Sequence, residues 1–127
     1  MAITSAICNS FKEEILQGGH CLNASGSTAA GNAIKCALYS SNSAVLSKST
    51  TAYAAPADAT ADPTSTYEVT TTGSGYSGGG SALTNAGTSL SSDTALVDFA
   101  DLSFTGVTLT ARGALIYNDT ASGDPAV

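Results

Sequence analysis

One histidine and three cysteines are the residues of this chain best suited to nucleophilic chemistry. Cys21 directly follows His20, the single histidine, and a thiol beside an imidazole can serve as nucleophile and base. Neighbours on an extended loop point in different directions, however, and neither an orienting residue nor an oxyanion element can be identified. We therefore interpret His20 as a structural residue at a helix end, where the helix dipole favours a cation.

The cysteines Cys8, Cys21 and Cys36 are odd in number and show no C-x-x-C spacing. That pattern argues against both a disulfide framework and a zinc site. We interpret all three as small buried hydrophobic residues, and we expect neither a metal nor a cofactor.

Two carboxylates, Asp98 and Asp101, flank a short turn in VDFADLSF. At this spacing they could bind calcium or act as acid and base. Calcium loops supply more oxygen ligands than this stretch offers, and glycosidic chemistry needs a second carboxylate across a cleft. We favour a solvated strand end with turn-forming aspartates.

A glycine-rich stretch, GSGYSGGG from Gly73 to Gly80, has the wrong order for a dinucleotide or phosphate-binding loop. It lacks the Lys-Ser/Thr ending, and no helix pattern follows it. Its five glycines instead predict a bulge or wide turn with close backbone approach. The glycosylation sequons at Asn23 and Asn118 are interpreted as accidental matches in a Ser/Thr-rich chain.

Tyrosines make up five of the eight aromatic residues. They could form a sugar-binding or protein-binding surface, or they could be half-buried strand residues with wet hydroxyl groups. We favour packing, because two of them end predicted strands. The five are Tyr39, Tyr53, Tyr67, Tyr76 and Tyr117.

Composition limits the classes of partner. The 127 residues carry a net charge of −6, and only 11% of them are charged. The four basic residues are scattered along the sequence and form no basic cluster that could bind a phosphate backbone, so direct nucleic-acid binding is not expected. No apolar run is long enough to span a bilayer, and no membrane partner is expected. The basic residues are Lys12, Lys35, Lys48 and Arg112.

The elements that must position these residues are one helix and several strands. From Thr4 to Gln17, Ile7, Phe11 and Ile15 recur at helical spacing with Leu16 beside them, and Gly18-Gly19 supplies a stop. Thr4 or Ser5 could cap this helix, and Lys12, Glu13 and Glu14 would form its solvent face. Strand character is predicted for Ala33–Tyr39, Ala44–Leu46, Tyr67–Thr70, Ser81–Ala86, Thr94–Phe99, Leu102–Phe104 and Gly106–Tyr117.

The strand at Ala33–Tyr39 alternates with a period of two. We expect Ile34, Cys36 and Leu38 to face inward, and Lys35 to face water with its alternating neighbours. Ser47–Pro63 is predicted to be a long surface loop.

We therefore predict a mainly β fold, an antiparallel β-sandwich-like domain with one short N-terminal α-helix packed on the sheet. Residues 1–127 form a single domain in this interpretation. Ala126-Val127 have the character of a further strand that is left unfinished, which would expose a sheet edge.

Several short segments of the sequence are similar to those of a known protein family: SFKEEIL with its glycine pair, KCALYSS, STTAYA, YEV, GSGYSGGGSALTN, DFADLSF and TARGALIYND. Together they resemble a family of small virion-associated proteins of tailed bacteriophages, cyanophages among them. The most specific pieces are the stretch around Tyr76, the turn from Asp98 to Asp101 and the strand from Ala111 to Tyr117. The chain departs from the family in a longer, proline-containing insertion at Ala54–Thr66, and by stopping at Val127.

The resemblance implies a structural component carried in many copies on the particle, with other virion proteins as partners and no catalytic role. A decoration or cement protein on the outer head surface is the leading hypothesis, in which the loop Ala52–Thr66 would contact neighbours. The alternative is a tail, neck or fibre component that contacts host glycans through exposed Tyr53 and Tyr76. A cell-wall hydrolase using Asp98 and Asp101 is the least favoured.

Overall fold

The structure is a computed structural model that describes residues 5–23, 31–40, 46–53, 68–69 and 73–127. The predicted fold class is confirmed, because the described chain is mainly β, its strands pair antiparallel and one short helix precedes them. The elements are α1 (Asn9–Leu16), β1 (Ile34–Tyr39), β2 (Ser81–Leu83), β3 (Asn85–Ser91), β4 (Thr94–Phe99) and β5 (Gly113–Asn118).

A three-stranded antiparallel sheet in the order β2-β1-β5 forms the body of the molecule. Strand β1 pairs along its whole length with β5, from Ile34 opposite Asn118 to Tyr39 opposite Gly113. Single bridges widen the sheet beyond β5, because Tyr117 pairs with Ala126 and residue 125 pairs in turn with residue 52. No strand is formed at Ala126-Val127, where one was predicted to begin; Ala126 makes an isolated bridge, and the N–H of Val127 bonds to the carbonyl of Ile116.

Helix α1 packs on this sheet, as predicted. Its Phe11 and the preceding Cys8 share one core cluster with residues of β1, β5 and the chain beyond β5. Burial of this apolar surface is the main force that holds the helix, since eight residues are too few for an isolated helix to be stable in water. The sheet residues of the cluster are Ala37, Tyr39, Leu115, Tyr117 and Ala126.

The predicted bounds and inner face of the helix are wrong in detail. The helix begins at Asn9, whose backbone N–H bonds to the carbonyl oxygen of Lys48 at 2.8 Å, and no side chain caps it. Ile7 therefore lies outside the helix, and Ile15 and Leu16 are exposed. The stop at Gly18-Gly19 is confirmed, with Gly18 in the left-handed region at φ +77°. The chain turns there and carries His20, instead of the last helical turn, into the core.

The prediction for the inner face of β1 is right for Ile34, which is buried, and wrong for the other two residues. Ala37 and Tyr39 join the core cluster under the helix, whereas Cys36 and Leu38 are only half-buried. A small residue at position 37 leaves room for the helix, and Tyr39 supplies more apolar area than Leu38. Lys35 lies on the same face as Tyr39 but at the sheet end, where its Nζ is 3.0 Å from a carboxylate oxygen of Asp119.

Strands β3 and β4 form a separate two-stranded sheet, which we call the hairpin arm (residues 85–99). Its register runs from Asn85 opposite Phe99 to Ser91 opposite Thr94, with a bulge near Gly87. Every residue from 88 to 98 is exposed. The arm is anchored at its base, where the N–H of Ala100 bonds to the carbonyl of Thr84 and the Asn85 side chain to the carbonyl of Leu22. It therefore projects from the body.

The segment between β4 and β5 corrects two strand predictions. Residues 102–104 and 106–112 form no ladder, and of the predicted strand Gly106–Tyr117 only the part from Gly113 onward pairs. Half-burial still alternates in two stretches, at Leu102 and Phe104 and again at Val107 and Leu109, with the alternation interrupted at residues 105–106. The sequence pattern therefore correctly indicated a period of two, but pairing also needs a neighbouring strand edge.

Three other predictions fall wholly or partly on residues outside the described ranges. They are the strand at Ala44–Leu46, the loop at Ser47–Pro63 beyond residue 53, and the strand at Tyr67–Thr70 apart from Glu68 and Val69. Glu68 forms an antiparallel bridge with Tyr39. Across the described ranges, no helix combines the length and apolar character that crossing a membrane requires.

Candidate functional site

The most unusual polar feature is a buried carboxylate. Glu68 is only 8% exposed, and both of its oxygens accept hydrogen bonds. Oε1 accepts from the Tyr76 hydroxyl at 2.9 Å and from the backbone N–H of Gly79 at 2.7 Å. Oε2 accepts from the Tyr53 hydroxyl at 2.6 Å. Such bonds to an ionised group are strong, and they compensate the loss of water around the carboxylate.

Strand β1 fixes this carboxylate relative to the sheet. Glu68 bridges to Tyr39, and the N–H of Val69 donates to the carbonyl of Leu38 at 2.9 Å. The N–H of Leu38 in turn donates to the hydroxyl oxygen of Tyr76 at 2.9 Å. The Tyr76 hydroxyl therefore accepts from the sheet and donates to Glu68, so it satisfies two buried groups at once.

The glycine-rich stretch brings its backbone against the sheet, as its composition predicted. Gly75 and Gly80 have φ values of +75° and +76°. A Cβ on Gly80 would collide with the backbone carbonyl of Cys36, and one on Gly75 with that of Gly106. Only glycine allows both the left-handed conformation and this proximity. The N–H of Gly79 can then reach Glu68.

The tyrosines of the described residues pack around the same centre, which we call the tyrosine cluster (Tyr39, Tyr53, Tyr76 and Tyr117 with Glu68). The rings of Tyr53 and Tyr117 stack with centroids 4.6 Å apart. The Tyr117 hydroxyl donates to the carbonyl of Gly79 at 2.8 Å, and that of Tyr39 donates to the carbonyl of Tyr53 at 3.3 Å. The packing interpretation is confirmed for these four, but the prediction of wet hydroxyl groups is wrong, because each hydroxyl donates to a group of the chain. Tyr67 lies outside the described ranges.

Exposed Tyr53 and Tyr76, the basis for glycan contact, are not found. Tyr76 is buried, Tyr53 is half-buried, and both hydroxyl groups donate to Glu68. A hydroxyl already committed to a buried carboxylate is a poor ligand for a sugar, because leaving Glu68 would uncover an unsatisfied charge.

Burial sets the ionisation of the cluster. It raises the pKa of the Tyr39, Tyr53 and Tyr76 hydroxyls well above their usual value, and the nearby negative charge of Glu68 raises them further. Burial likewise raises the pKa of Tyr117 to about 12, with a smaller contribution from Asp119. These phenols remain neutral donors at neutral pH.

His20 is the centre of a second buried network. Its Nε2 lies 2.8 Å from a carboxylate oxygen of Glu14, and its Nδ1 lies 3.0 Å from Nδ2 of Asn118. The Asn118 Oδ1 accepts from the N–H groups of Thr120 and Ala121, so its NH₂ group faces His20. This assigns Nδ1 as an acceptor and places the proton on Nε2, donated to Glu14.

A nucleophile and base pair of Cys21 and His20 is therefore not formed, because both ring nitrogens bond to other groups. Burial raises the thiol pKa of Cys8 and of Cys36, which disfavours the reactive thiolate. None of the three cysteines forms a disulfide bond. The interpretation as buried hydrophobic residues holds for Cys8, whereas Cys21 and Cys36 are only half-buried.

Asp98 and Asp101 are both exposed, at the end of the hairpin arm and just beyond it. An Asp98 oxygen accepts from the adjacent N–H of Phe99 at 2.9 Å, at the end of β4, so the predicted solvated strand end is found but the predicted turn is not. No cluster of three or more His, Cys, Asp or Glu side chains arranged to hold a metal ion occurs within the described ranges. The sequon residue Asn118 is completely buried, which agrees with an accidental match.

Sequence reasoning missed Glu68 and the role of Asn118. The available signal for Glu68 was an acidic residue inside the strand-like segment YEV. A charged side chain on the buried face of a strand needs hydrogen-bond or ionic partners. No protein-family model, curated protein or solved structure matches this chain.

Proposed function

We propose that this protein is a non-enzymatic structural component of a bacteriophage virion, and that it binds as a decoration protein to the outer surface of the head. The non-enzymatic part of this proposal is supported by the hydrogen bonding of a buried carboxylate and a buried imidazole among the described residues. Glu68 and His20 are each bound on both polar atoms by groups of their own chain.

A general acid or base must lie within hydrogen-bond reach of a substrate proton. The buried carboxylate and imidazole instead join separate parts of the chain, Glu68 joining the glycine-rich stretch and Tyr53 to β1, and His20 joining α1 to β5. The polar atoms of Glu68 and His20 thus connect segments of the fold through hydrogen bonds. This use supports a structural role.

A binding role is supported by the hairpin arm. A projecting two-stranded sheet with exposed Leu90, Leu96 and Val97 is costly for a monomer in water, and exposed apolar side chains concentrated on one element mark interaction surfaces. The negative net charge disfavours a position against packaged DNA, so the outer face of the head is the better candidate. The assignment to a virion is supported by the resemblance of the sequence segments described above to virion-associated proteins.

The location can be tested on virions of the phage that encodes this chain. Tails are sheared from heads, and both fractions are probed for this protein with the major capsid protein and a tail tube protein as markers. We expect it in the head fraction, and as density on the outer shell in a particle reconstruction. Recovery with the tails would favour the tail, neck or fibre alternative, and density only inside the shell, or none, would refute the proposal.

A further inference from the structure

The hairpin arm is a sheet with few strands and no packed face. An isolated two-stranded sheet is marginally stable in water, and stability normally requires a third strand or packing against another element. In the arm, every residue from 88 to 98 is exposed, so neither face is covered by the body of the molecule. A third strand along one edge would supply what the arm lacks.

The outer edge of β4 carries backbone groups without partners. A two-residue loop connects Ser91 to Thr94, and the residues that close such a loop form a hydrogen-bonded pair. Hydrogen-bonded and non-hydrogen-bonded pairs alternate in an antiparallel ladder, so the N–H and C=O groups of Ala95 and Val97 point away from β3. Within the described ranges, no hydrogen bond reaches these four groups. They form a template for one more strand.

The edge of β4 is more regular than the edge of β3. Strand β3 has a bulge near Gly87, whose φ is +113° and whose N–H bonds to the side chain of Asn85. Bulges, prolines and lysines protect an edge from further pairing, and β4 has none of these from Thr94 to Phe99. The template ends at Phe99, because its N–H already bonds to the carboxylate of Asp98.

Apolar side chains lie along this edge on both faces of the arm. Val97 shares one face with Leu90, and Leu96 shares the other face with Asp98, because successive side chains of a strand alternate. Val97 is 38% exposed and Leu96 is 46% exposed. A strand added at the edge lies beside both faces, so apolar residues at its centre would cover part of each side chain.

The charge around the edge is negative. Asp98 lies on β4, Asp93 lies in the loop before it and Asp101 lies just after it, and all three are exposed. No lysine or arginine occurs from residue 49 to residue 111. Basic residues at the two ends of an added antiparallel strand would lie opposite Asp98 and Asp93, where opposite charges are favourable.

A second copy of this chain fits the edge less well. Two antiparallel β4 strands pair both of their outward residues when Leu96 of one copy lies opposite Leu96 of the other. That register places Asp93 of each copy beside Asp98 of the other, and the arm has no basic residue to compensate. Like charges at this distance disfavour the pair.

We propose that the outer edge of β4 binds an extended segment of another protein, which adds to the arm as a third, antiparallel strand and has an apolar centre flanked by basic residues. Hydrogen bonds to the backbone of Ala95 and Val97 hold the segment, and the basic residues set its register. The inference rests on the binding role that the proposed function gives to the arm, and it specifies the kind of segment that the arm recognises.

Titration of the isotope-labelled protein with a capped synthetic peptide, KVVVTK, tests the proposal by NMR. Its first lysine is designed to lie opposite Asp98, its valines opposite residues 95–97 and its last lysine opposite Asp93. We expect chemical-shift changes confined to the arm. At half saturation, hydrogen exchange of the Ala95 and Val97 amides should slow about twofold, because the bound half of the molecules is protected. The charge-reversed peptide EVVVTE should bind at least about tenfold more weakly.

Two substitutions separate the backbone contribution from the charge contribution. Ala95→Pro removes an outward N–H and no bond between β3 and β4, and Ala95→Thr, which keeps the N–H, is the matched control. We expect Ala95→Pro to weaken binding of KVVVTK at least about fivefold, and Ala95→Thr to leave it within about twofold. Asp98→Lys should reverse the preference, so that EVVVTE binds more tightly than KVVVTK. The NMR spectra show whether each variant keeps the hairpin, and if Ala95→Pro loses it, the charge reversal alone decides.

Four results would overturn the proposal: no shift changes in the arm, changes confined to β3, equal binding of the two peptides by the wild type, or equal binding of KVVVTK by folded Ala95→Pro and Ala95→Thr. Protection of Ala95 and Val97 without peptide, lost on dilution, would also overturn it, because a second copy would then occupy the edge. These measurements use the purified chain, so their failure is distinct from failure of the head location, which the sheared particles test.

Discussion

At the scale of single residues, Glu68 shows how one side chain can hold several segments together. Its carboxylate accepts three hydrogen bonds, from the side chains of Tyr53 and Tyr76 and from the backbone of Gly79. A group buried in this way contributes most through what its loss would leave unsatisfied.

Glu68→Gln tests this role. The amide has the same shape, but its NH₂ group would face donors that now bond to a carboxylate oxygen. We expect the free energy of unfolding to fall by about 1–3 kcal/mol in urea denaturation. Glu13→Gln, on an exposed glutamate of α1, is the control and should change it by less than about 0.5 kcal/mol. Equal effects of both changes would contradict a special role for Glu68.

The orientation of Asn118 is a second residue-scale prediction. Asn118→Asp replaces the NH₂ group that donates to Nδ1 of His20 and to Oδ1 of Asn32 by an oxygen, so acceptors would face acceptors. We expect a loss of about 1–3 kcal/mol of unfolding free energy. Asn9→Asp, exposed at the start of α1 where a negative charge is favourable, should cause no loss. An unchanged stability of the Asn118 variant would mean that the amide is oriented the other way.

At the scale of elements, the close approach of the glycine-rich stretch to β1 decides how β2 can pair. Gly80 immediately precedes β2, and a Cβ there would collide with the carbonyl of Cys36. Gly73 has a similar φ of +71° but open space around its Cβ position. Substitution at Gly73 therefore tests backbone strain alone, whereas substitution at Gly80 adds a steric collision.

Gly80→Ala is expected to destabilise the protein more than Gly73→Ala does. The control variant should lose about 1–2 kcal/mol, the usual cost of a non-glycine residue in the left-handed region, and Gly80→Ala at least ~1 kcal/mol more. Thermal unfolding of both variants against the wild type measures the difference. Similar losses would show that the backbone near Cys36 moves aside easily.

The elements also show what the sequence could predict. One helix and the strands at Ile34–Tyr39 and Thr94–Phe99 follow from local periodicity and turn residues, so their existence was predicted correctly, although the helix was predicted over Thr4–Gln17 and spans only Asn9–Leu16. Pairing partners are set by segments far apart in the chain, and for that reason Leu102–Phe104 was mistaken for a strand. The same non-locality hid Glu68, because its partners at positions 53, 76 and 79 come together only in the folded chain.

At the scale of the whole molecule, the tyrosine cluster couples stability to alkaline pH. The hydroxyls of four tyrosines have a pKa raised in the folded state above the ordinary value of 10.0. A raised folded-state pKa gives stability that is complete below pH 10 and is lost as the pH rises toward the folded-state value, about 12 for Tyr117. The unfolded chain releases these protons first, so high pH favours unfolding.

We therefore expect cooperative unfolding as the pH is raised above 10, with tyrosinate absorbance and loss of circular dichroism following one curve. The control is the same titration in denaturant, where the tyrosines should ionise near pH 10 without a cooperative step. Ionisation of most tyrosines near pH 10 in a protein that stays folded would contradict the buried cluster.

The short pairing beyond β5 has a consequence for how the chain reaches its native state. The N–H of Ala126 bonds to the carbonyl of Thr51, and the N–H of Tyr53 bonds to the carbonyl of Asp124. Residues 51–53 therefore cannot complete their hydrogen bonds before residues 124–126 are in place. Contacts so distant along the chain slow folding. During synthesis, Tyr53 cannot form its hydrogen bond to Asp124 until that residue has left the exit tunnel, which makes closure of this part of the sheet a late folding event. Deleting residues 125–127 should accordingly speed unfolding more than it slows the first collapse, a difference that stopped-flow kinetics can resolve.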